Sequence, residues 1–253
     1  MIIDNPDRSW EQYGKNDPYF GVLADDKFRR ANLSTDTKAT FFNSGEEYVS
    51  QLESNLDHYF GHMPTERALD FGCGVGRLVI PLTRRFESVT GVDVSPSMIQ
   101  EAERNCREHG IDNASFILSG GDDLPNVSGR FDLINTIIVL QHIPPDRGYK
   151  LISRLLDLVA QGGIIAMHVN LTRNGSALRK TGNLIRRHFL PAHYLLNVLD
   201  KRQWNEPLTR MAAYDLNRIM LMLFEQGFHQ VAAIPFHEEP HPGVLLMGVK
   251  GRK

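Results

Sequence analysis

Along this chain short continuous apolar runs alternate with apolar stripes at helical spacing, the pattern of strands and amphipathic helices following one another. The first run, Arg67-Ala-Leu-Asp-Phe71, is stopped by glycines, and Leu78, Val79 and Leu82 beyond it predict a helix ending near Phe86. Ser88 to Val94 predicts a second strand, after which Ser95 as cap and Pro96 at the first helical position open a helix that Gly110 ends. Ala114 to Ser119 predicts a third strand. Phe131 to Leu140 is apolar almost throughout, as expected for a central parallel strand covered on both faces. A helix over about residues 146–160 is expected to stop at Gly162 and Gly163, with Gly163 to Val169 as the fifth strand. Repeated strand-helix order predicts an α/β fold with a doubly wound parallel sheet and right-handed crossovers.

The flanks follow a different pattern. Residues 1–43 are polar with scattered aromatics and no sustained period, which predicts an irregular N-terminal cap. Ser44 and Glu47 form the pattern of a capping box, and Tyr48, Val49, Leu52, Leu56, Tyr59 and Phe60 then share one helical face. Residues 1–63 are therefore expected to be a cap and lead-in helix, and residues 64–253 the main domain. Residues 171–213 interrupt the alternation as a lid or insertion, before a helix over Tyr214 to Gln226 resumes it. Two strands, Gln230 to Ile234 and Gly243 to Lys250, joined by a loop over Pro235 to Pro242, close the chain.

Composition changes this picture little. A chain of 253 residues suits one large α/β domain with an appendage, and 42% apolar with 23% charged residues excludes fibrous and disordered classes. The net charge of -2 gives no global attraction to nucleic acid or anionic membrane. Locally the insertion is basic: Arg173, Arg179, Lys180, Arg186, Arg187, Lys201, Arg202 and Arg210 face only Asp200 and Glu206. It suits a solvated helical lid that shields a reaction from water, a lid whose arginines recognise an anionic or lipid-like acceptor, or a surface for nucleic acid or peripheral membrane contact, with Leu184 to Leu190 as an amphipathic stretch. With only Cys73 and Cys106, no disulfide framework or zinc site is expected, and a start without signal-peptide features predicts a cytoplasmic location.

The chemistry concentrates in Ala68-Leu-Asp-Phe-Gly-Cys-Gly-Val-Gly-Arg77, where glycines at 72, 74 and 76 follow a strand and open a helix. Glycines permit positive φ and let backbone N–H groups approach a ligand at a helix N-terminus. Asp93 ends the next strand, where a doubly wound fold places the carboxylate that accepts from ribose hydroxyls. A dinucleotide-binding dehydrogenase would carry its last glycine one residue later, where Arg77 stands. With these residues in place, "LDFGCGVGRL", "VTGVDVSPSMI", "FDLINTIIVLQHIP" and "GGIIAMHVN" resemble the successive strand motifs of class I S-adenosylmethionine-dependent methyltransferases.

That resemblance covers residues 64–170 strongly and the terminal helix and strands more weakly. It implies a Rossmann-like, doubly wound, mostly parallel seven-stranded sheet with helices on both faces, and S-adenosylmethionine as cofactor. It further implies that Asp70 and the turn Gly72, Cys73, Gly74 and Gly76 contact the methionine portion and that Asp93 holds the ribose. Val94 and Met98 would pack on adenine, Gly121 and Asp122 would meet its edge, and Gln141 would line the methionine end. Met98 has an alternative reading as core, and Cys73 reads as a small residue in a crowded turn rather than a nucleophile.

Ligands of an open parallel sheet bind beyond the carboxyl ends of its strands. Gln141, His142, Asn170 and the stretch His237-Glu-Glu-Pro-His241 meet that condition. His142 is the candidate general base, or else a cap for backbone groups, and the His237–His241 stretch reads as a solvated loop rather than a metal site. A small-molecule acceptor, methylated at oxygen, is expected over nucleic acid. A nicotinamide-dependent oxidoreductase and a non-catalytic S-adenosylmethionine-binding protein remain the alternatives at this point.

Overall fold

The structure is a computed structural model that describes residues 5–119, 124–172, 190–200, 202–209, 211–238 and 241–251. Gly121 and Asp122, residues 173–189 of the insertion with most of its arginines, and Glu239 and Pro240 lie outside them. Its centre is a seven-stranded sheet in the order β3-β2-β1-β4-β5-β7-β6. The strands are β1 Arg67–Phe71, β2 Ser88–Asp93, β3 Ala114–Leu118, β4 Phe131–Thr136, β5 Val159–Asn170, β6 Phe228–Glu238 and β7 His241–Lys250. β1 to β5 pair in parallel, and β7 runs antiparallel between β5 and β6. The order reverses beside β1, so β1 and β4 flank the switch point where such sheets bind ligands.

The described helices are α1 Pro6–Asn16, α2 Pro18–Val22, α3 Thr35–Phe60, α4 Val79–Leu82, α5 Pro96–Glu108, α6 Pro145–Leu158, α7 Leu190–Leu199 and α8 Leu216–Glu225. Period-2 alternation divides the central strands between two cores. On one face Leu69, Ile134, Ile165 and Met167 pack against α6 and α8; on the other Ala68, Leu133, Ile164 and Ala166 pack against α3 and α4. A third cluster, with Tyr13, Tyr19, Phe20, Phe28, Phe41, Val75 and Met98, joins the N-terminal segment to α5.

Several local expectations hold. Ser95 caps α5 by accepting from the Met98 N–H at 3.1 Å, and Gly110 takes a left-handed φ of 66° beyond its end. Others are corrected. The N-terminal segment is helical rather than irregular, and α3 begins a full nine residues earlier than Ser44, at a capping box between Ser34 and Thr37. Ser44 lies inside α3, its hydroxyl donating to the Phe41 carbonyl. The helix after the glycine turn shortens to α4 around Pro81. β4 stops at Thr136, because Ile138 takes a φ of 61° and turns the apolar run out of the sheet into a 3-10 turn over Leu140–His142.

α6 ends before Val159, and Gly162, at φ 79°, lies within β5 beside a register shift against β4. The supposed loop over Pro235 to Pro242 belongs to a hairpin: His237 pairs with Pro242 and Glu238 with His241. Among the described residues no helix is long and apolar enough to cross a membrane.

Candidate functional site

β1 delivers Asp70 and then breaks into the glycine turn. Gly72, Gly74 and Gly76 take φ of 78°, 52° and 86°, a region that costs any other residue dearly. The turn is tied to β2, since the Gly72 and Cys73 N–H groups donate to the Val92 carbonyl at 2.7 and 3.0 Å. Space is equally restrictive. A β-carbon on Gly72 would stand 2.3 Å from Val139 Cγ2, and one on Gly74 would stand 2.5 Å from Val22 Cγ2. Cys73 is buried, and burial pushes its thiol well above the ordinary value, so it carries no thiolate at neutral pH.

Asp93, at the end of β2, joins turn and helix. Its carboxylate accepts from the Gly74 N–H and from the Ser95 N–H, each at 2.9 Å. Burial still raises its pKa against those bonds. Glu11 reaches the same helix start from α1, accepting from Ser95 Oγ at 2.7 Å, Ser97 N at 3.1 Å and Ser97 Oγ at 2.9 Å. Against the upward push of burial, the bonds from Ser95 and Ser97 hold Glu11 below its usual value. Val94 is half-buried next to Asp93, while Met98 is buried in the aromatic cluster of the N-terminal segment.

Asp70 points into the other side of the turn. It accepts from Asn135 Nδ2 at 2.9 Å, and Asn135 Oδ1 in turn accepts from the Tyr48 hydroxyl at 2.8 Å. Burial pushes the Asp70 carboxyl up to about 6, against the pull of Asn135 and Arg77. Arg77 is itself lowered by burial and donates to the Ser44 carbonyl at 3.3 Å. Tyr48, Asn135 and Arg77 are not recognisable as a set along the chain, because they come from α3, β4 and the turn and meet only on folding.

The 3-10 turn after β4 brings Gln141 and His142 to the same rim. Gln141 is buried, its carbonyl accepts from the Ala212 N–H at 2.6 Å, and its side-chain Oε1 has no partner. His142 lies beside it, Nε2 3.3 Å from Gln141 Nε2, with its ring edge-on to Trp10 at 4.9 Å. Tyr214 fastens this rim to β5, its N–H donating to the Asn170 carbonyl at 2.9 Å and its hydroxyl lying 3.0 and 2.9 Å from the Leu140 and Ile143 carbonyls.

Asn170 ends β5, fully buried, as does His168 two residues before it. Sequence reasoning placed Asn170 at the rim and passed over His168, a lone histidine in an apolar run whose shared strand parity with Asn170 was the available signal. Asp70, Asp93, the glycine turn, Val94, Gln141 and His142 thus meet at the carboxyl ends of β1, β2 and β4. The side chains of His237 and His241 are outside the described set, and the hairpin pairing that holds their backbones replaces the expected loop.

A seven-stranded sheet with one antiparallel strand, a left-handed triple-glycine turn after β1 and a carboxylate ending β2 make up the arrangement that class I S-adenosylmethionine-dependent methyltransferases share, and the chain is similar to that family. Residues 68–163 match the family model described as a methyltransferase domain. The chain is 31% identical over 130 residues to an uncharacterized methyltransferase of Synechocystis, covering 51% of this chain and 57% of that one. It is 32% identical over 131 residues to the magnesium-protoporphyrin O-methyltransferase of Synechocystis, covering 49% and 53%. The chain therefore spans little more than half the length of these curated relatives. The crystal structure of magnesium protoporphyrin IX methyltransferase from Synechocystis with bound S-adenosylmethionine superposes with a TM-score of 0.61 at 19% identity, covering 98% of both chains.

Proposed function

We propose that this chain transfers the methyl group of S-adenosylmethionine to an oxygen of a small-molecule acceptor. The observation that carries the reading is the bond from the Gly74 N–H to Asp93, which locks a strained glycine turn to the carboxylate of the next strand. Two features support a fit to this cofactor. The Gln141 Oε1 atom is buried at the rim without a partner, and the Asp93 carboxylate stands at the end of β2 beside the glycine turn.

In this reading Asp70 and the turn Gly72, Cys73, Gly74 and Gly76 hold the methionine portion, with Gln141 completing its polar contacts. Asp93 accepts from the ribose hydroxyls, Val94 and Met98 form the adenine wall, and Gly121 and Asp122 supply its edge. When bound, the cofactor would supply a sulfonium methyl carbon to the acceptor oxygen, with S-adenosylhomocysteine as the leaving group. His142 takes the proton of that hydroxyl on a ring nitrogen, and its packing against Trp10 fixes the ring plane. Residues 64–253 form the catalytic unit, residues 1–63 its cap, and residues 171–213 an insertion that helps exclude water. The choice of oxygen is supported by the magnesium-protoporphyrin O-methyltransferase among the relatives.

Calorimetry with S-adenosylmethionine and S-adenosylhomocysteine tests the cofactor assignment, and absence of heat on folded protein overturns it. Labelled cofactor with fractionated cell extract, read by mass spectrometry for a gain of one methylene unit, tests transfer. His142→Ala is expected to lower turnover by about 10²-fold or more with S-adenosylhomocysteine affinity unchanged. Unchanged turnover removes His142 as the base.

A further inference from the structure

The carboxyl end of β5 holds two side chains whose hydrogen-bonding capacity is unused. Both ring nitrogens of His168 and both amide atoms of Asn170 are buried without a partner. Folded chains rarely leave buried polar atoms unsatisfied, and two adjacent side chains in that state mark a place a ligand completes. Strand parity puts the two on one face of β5, continuing the line of Ile164 and Ala166 beyond the apolar core. Ala166 pairs with Asn135, so His168 lies one step further toward the strand ends than the Asp70–Asn135 pair.

The far wall comes from the hairpin. The Phe236 ring lies 4.4 Å from the His168 ring, and Gly243 pairs with Asn170. A β-carbon on Gly243 would stand 2.3 Å from His168 Nε2 and 3.1 Å from Asn170 Oδ1. Only glycine at 243 leaves room for the His168 ring and the Asn170 amide to lie side by side against β7. Burial pushes the imidazole down to about 4, helped by the nearby His142, so the ring is neutral at physiological pH. A neutral imidazole offers one donor and one acceptor, and a carboxamide offers two N–H donors and an acceptor oxygen. Neither compensates a buried charge.

We infer that His168 and Asn170 form the acceptor subsite, gripping an uncharged oxygen function in which a hydroxyl stands beside a second hydroxyl or a carbonyl. A hydroxyl donates to one side chain while accepting from the other, and its neighbouring oxygen accepts the remaining N–H. The inference rests on the methyl-transfer reading above. It adds that the acceptor is recognised through neutral vicinal oxygens at the β5 end.

The test uses the full chain, with and without S-adenosylhomocysteine, and three probes: catechol as the neutral vicinal diol, benzoate as anion and benzylamine as cation. Side-chain ¹⁵N NMR follows the histidine rings, with His168→Leu assigning the signal. Catechol is expected to shift His168 and sharpen it to one tautomer, while benzoate and benzylamine leave it in place. His168→Leu and Asn170→Leu are expected to weaken catechol binding about tenfold or more, the loss of one good hydrogen bond. His168→Gln, which keeps a donor and an acceptor, is expected to restore most of it.

Both leucine variants are also expected to melt higher than the parent chain, since each removes unsatisfied buried atoms. The inference is overturned if catechol leaves His168 unmoved, if benzoate or benzylamine moves it as strongly, or if both leucine variants melt lower. S-adenosylhomocysteine calorimetry on the same samples reports separately on the cofactor reading: binding of that compound with no catechol response fails the subsite alone.

Discussion

A carboxyl group buried beside the glycine turn makes the stability of this chain depend on pH in an unusual direction. Asp70 has an ordinary value of 3.8 and is pushed up to about 6 in the folded chain, chiefly by burial. Between those values the unfolded chain has lost the proton that the folded chain keeps. Ionisation therefore favours unfolding, and Asp70 subtracts stability as pH rises from about 4 to about 6 rather than adding it. The gap of about two pH units, at about 1.4 kcal/mol each, amounts to roughly 3 kcal/mol. The perturbation is Asp70→Asn, which retains the oxygen that accepts from Asn135 and cannot titrate. The attraction of Arg77 arises only as Asp70 ionises and is already contained in the folded value of about 6.

Urea unfolding of both proteins from pH 4 to pH 7.5 isolates the effect. The stability of the parent chain relative to the variant is expected to fall by roughly 3 kcal/mol across that interval and to level off above about pH 6.5. Asp93 is also raised, but it is present in both proteins and cancels. A flat difference, or one that rises with pH, refutes the burial argument. Direct ¹³C titration of the Asp70 carboxyl with a midpoint below 5 refutes it independently.

Gly72→Ala combines a left-handed φ with a methyl group 2.3 Å from Val139, so a loss of about 2–4 kcal/mol is expected in urea unfolding. Adding Val139→Ala should return part of it in a double-mutant cycle, and purely additive losses contradict the contact. Ser95→Ala removes the cap of α5 and one of the hydroxyls held by Glu11, with an expected cost of about 1 kcal/mol; a change under about 0.3 kcal/mol contradicts it. Arg29 stacks over Phe20 at 3.6 Å and bonds Glu206 at 2.8 Å, while Gln12 bonds the Asn205 carbonyl. Arg29→Met leaves the buried Glu206 carboxylate with the longer 3.6 Å contact from Arg202, and faster amide exchange confined to residues 193–206 is the expected local readout. Protection unchanged there would show that the latch holds nothing.

Much of the central sheet was legible because its signals are local. Glycines that need positive φ, a Ser-Pro helix start and runs of apolar residues each act within a few positions. What was missed depends on partners distant in sequence. The start of α3 carries Thr37 where a glutamate would have announced a capping box, and Phe41 is buried by the N-terminal aromatics rather than by the sheet. Nothing in Ile137-Ile-Val-Leu140 announces that Ile138 will adopt a left-handed backbone, a conformation that β-branched residues resist. Pro235 and Pro242 argued for a loop, yet Pro235 lies on the edge strand β6 and Pro242 at the start of β7, both places that tolerate proline. At the site, Asp93 and the glycines stand out by their spacing, and Asp70 by the family resemblance. His168, Tyr48, Asn135 and Arg77 do not, because burial and unpaired nitrogen or oxygen atoms have no signature along a single strand of text.

The placement of β7 between β5 and β6 sets an order of assembly. A ribosome delivers β1 to β5 well before the hairpin that contains Phe236 and Gly243, so the parallel half with its glycine turn can condense first. The wall facing His168 arrives with the last strand to be synthesised. A nascent chain stalled short of β7 would hold the glycine turn and Asp93 while lacking the strand that sets Gly243 against Asn170.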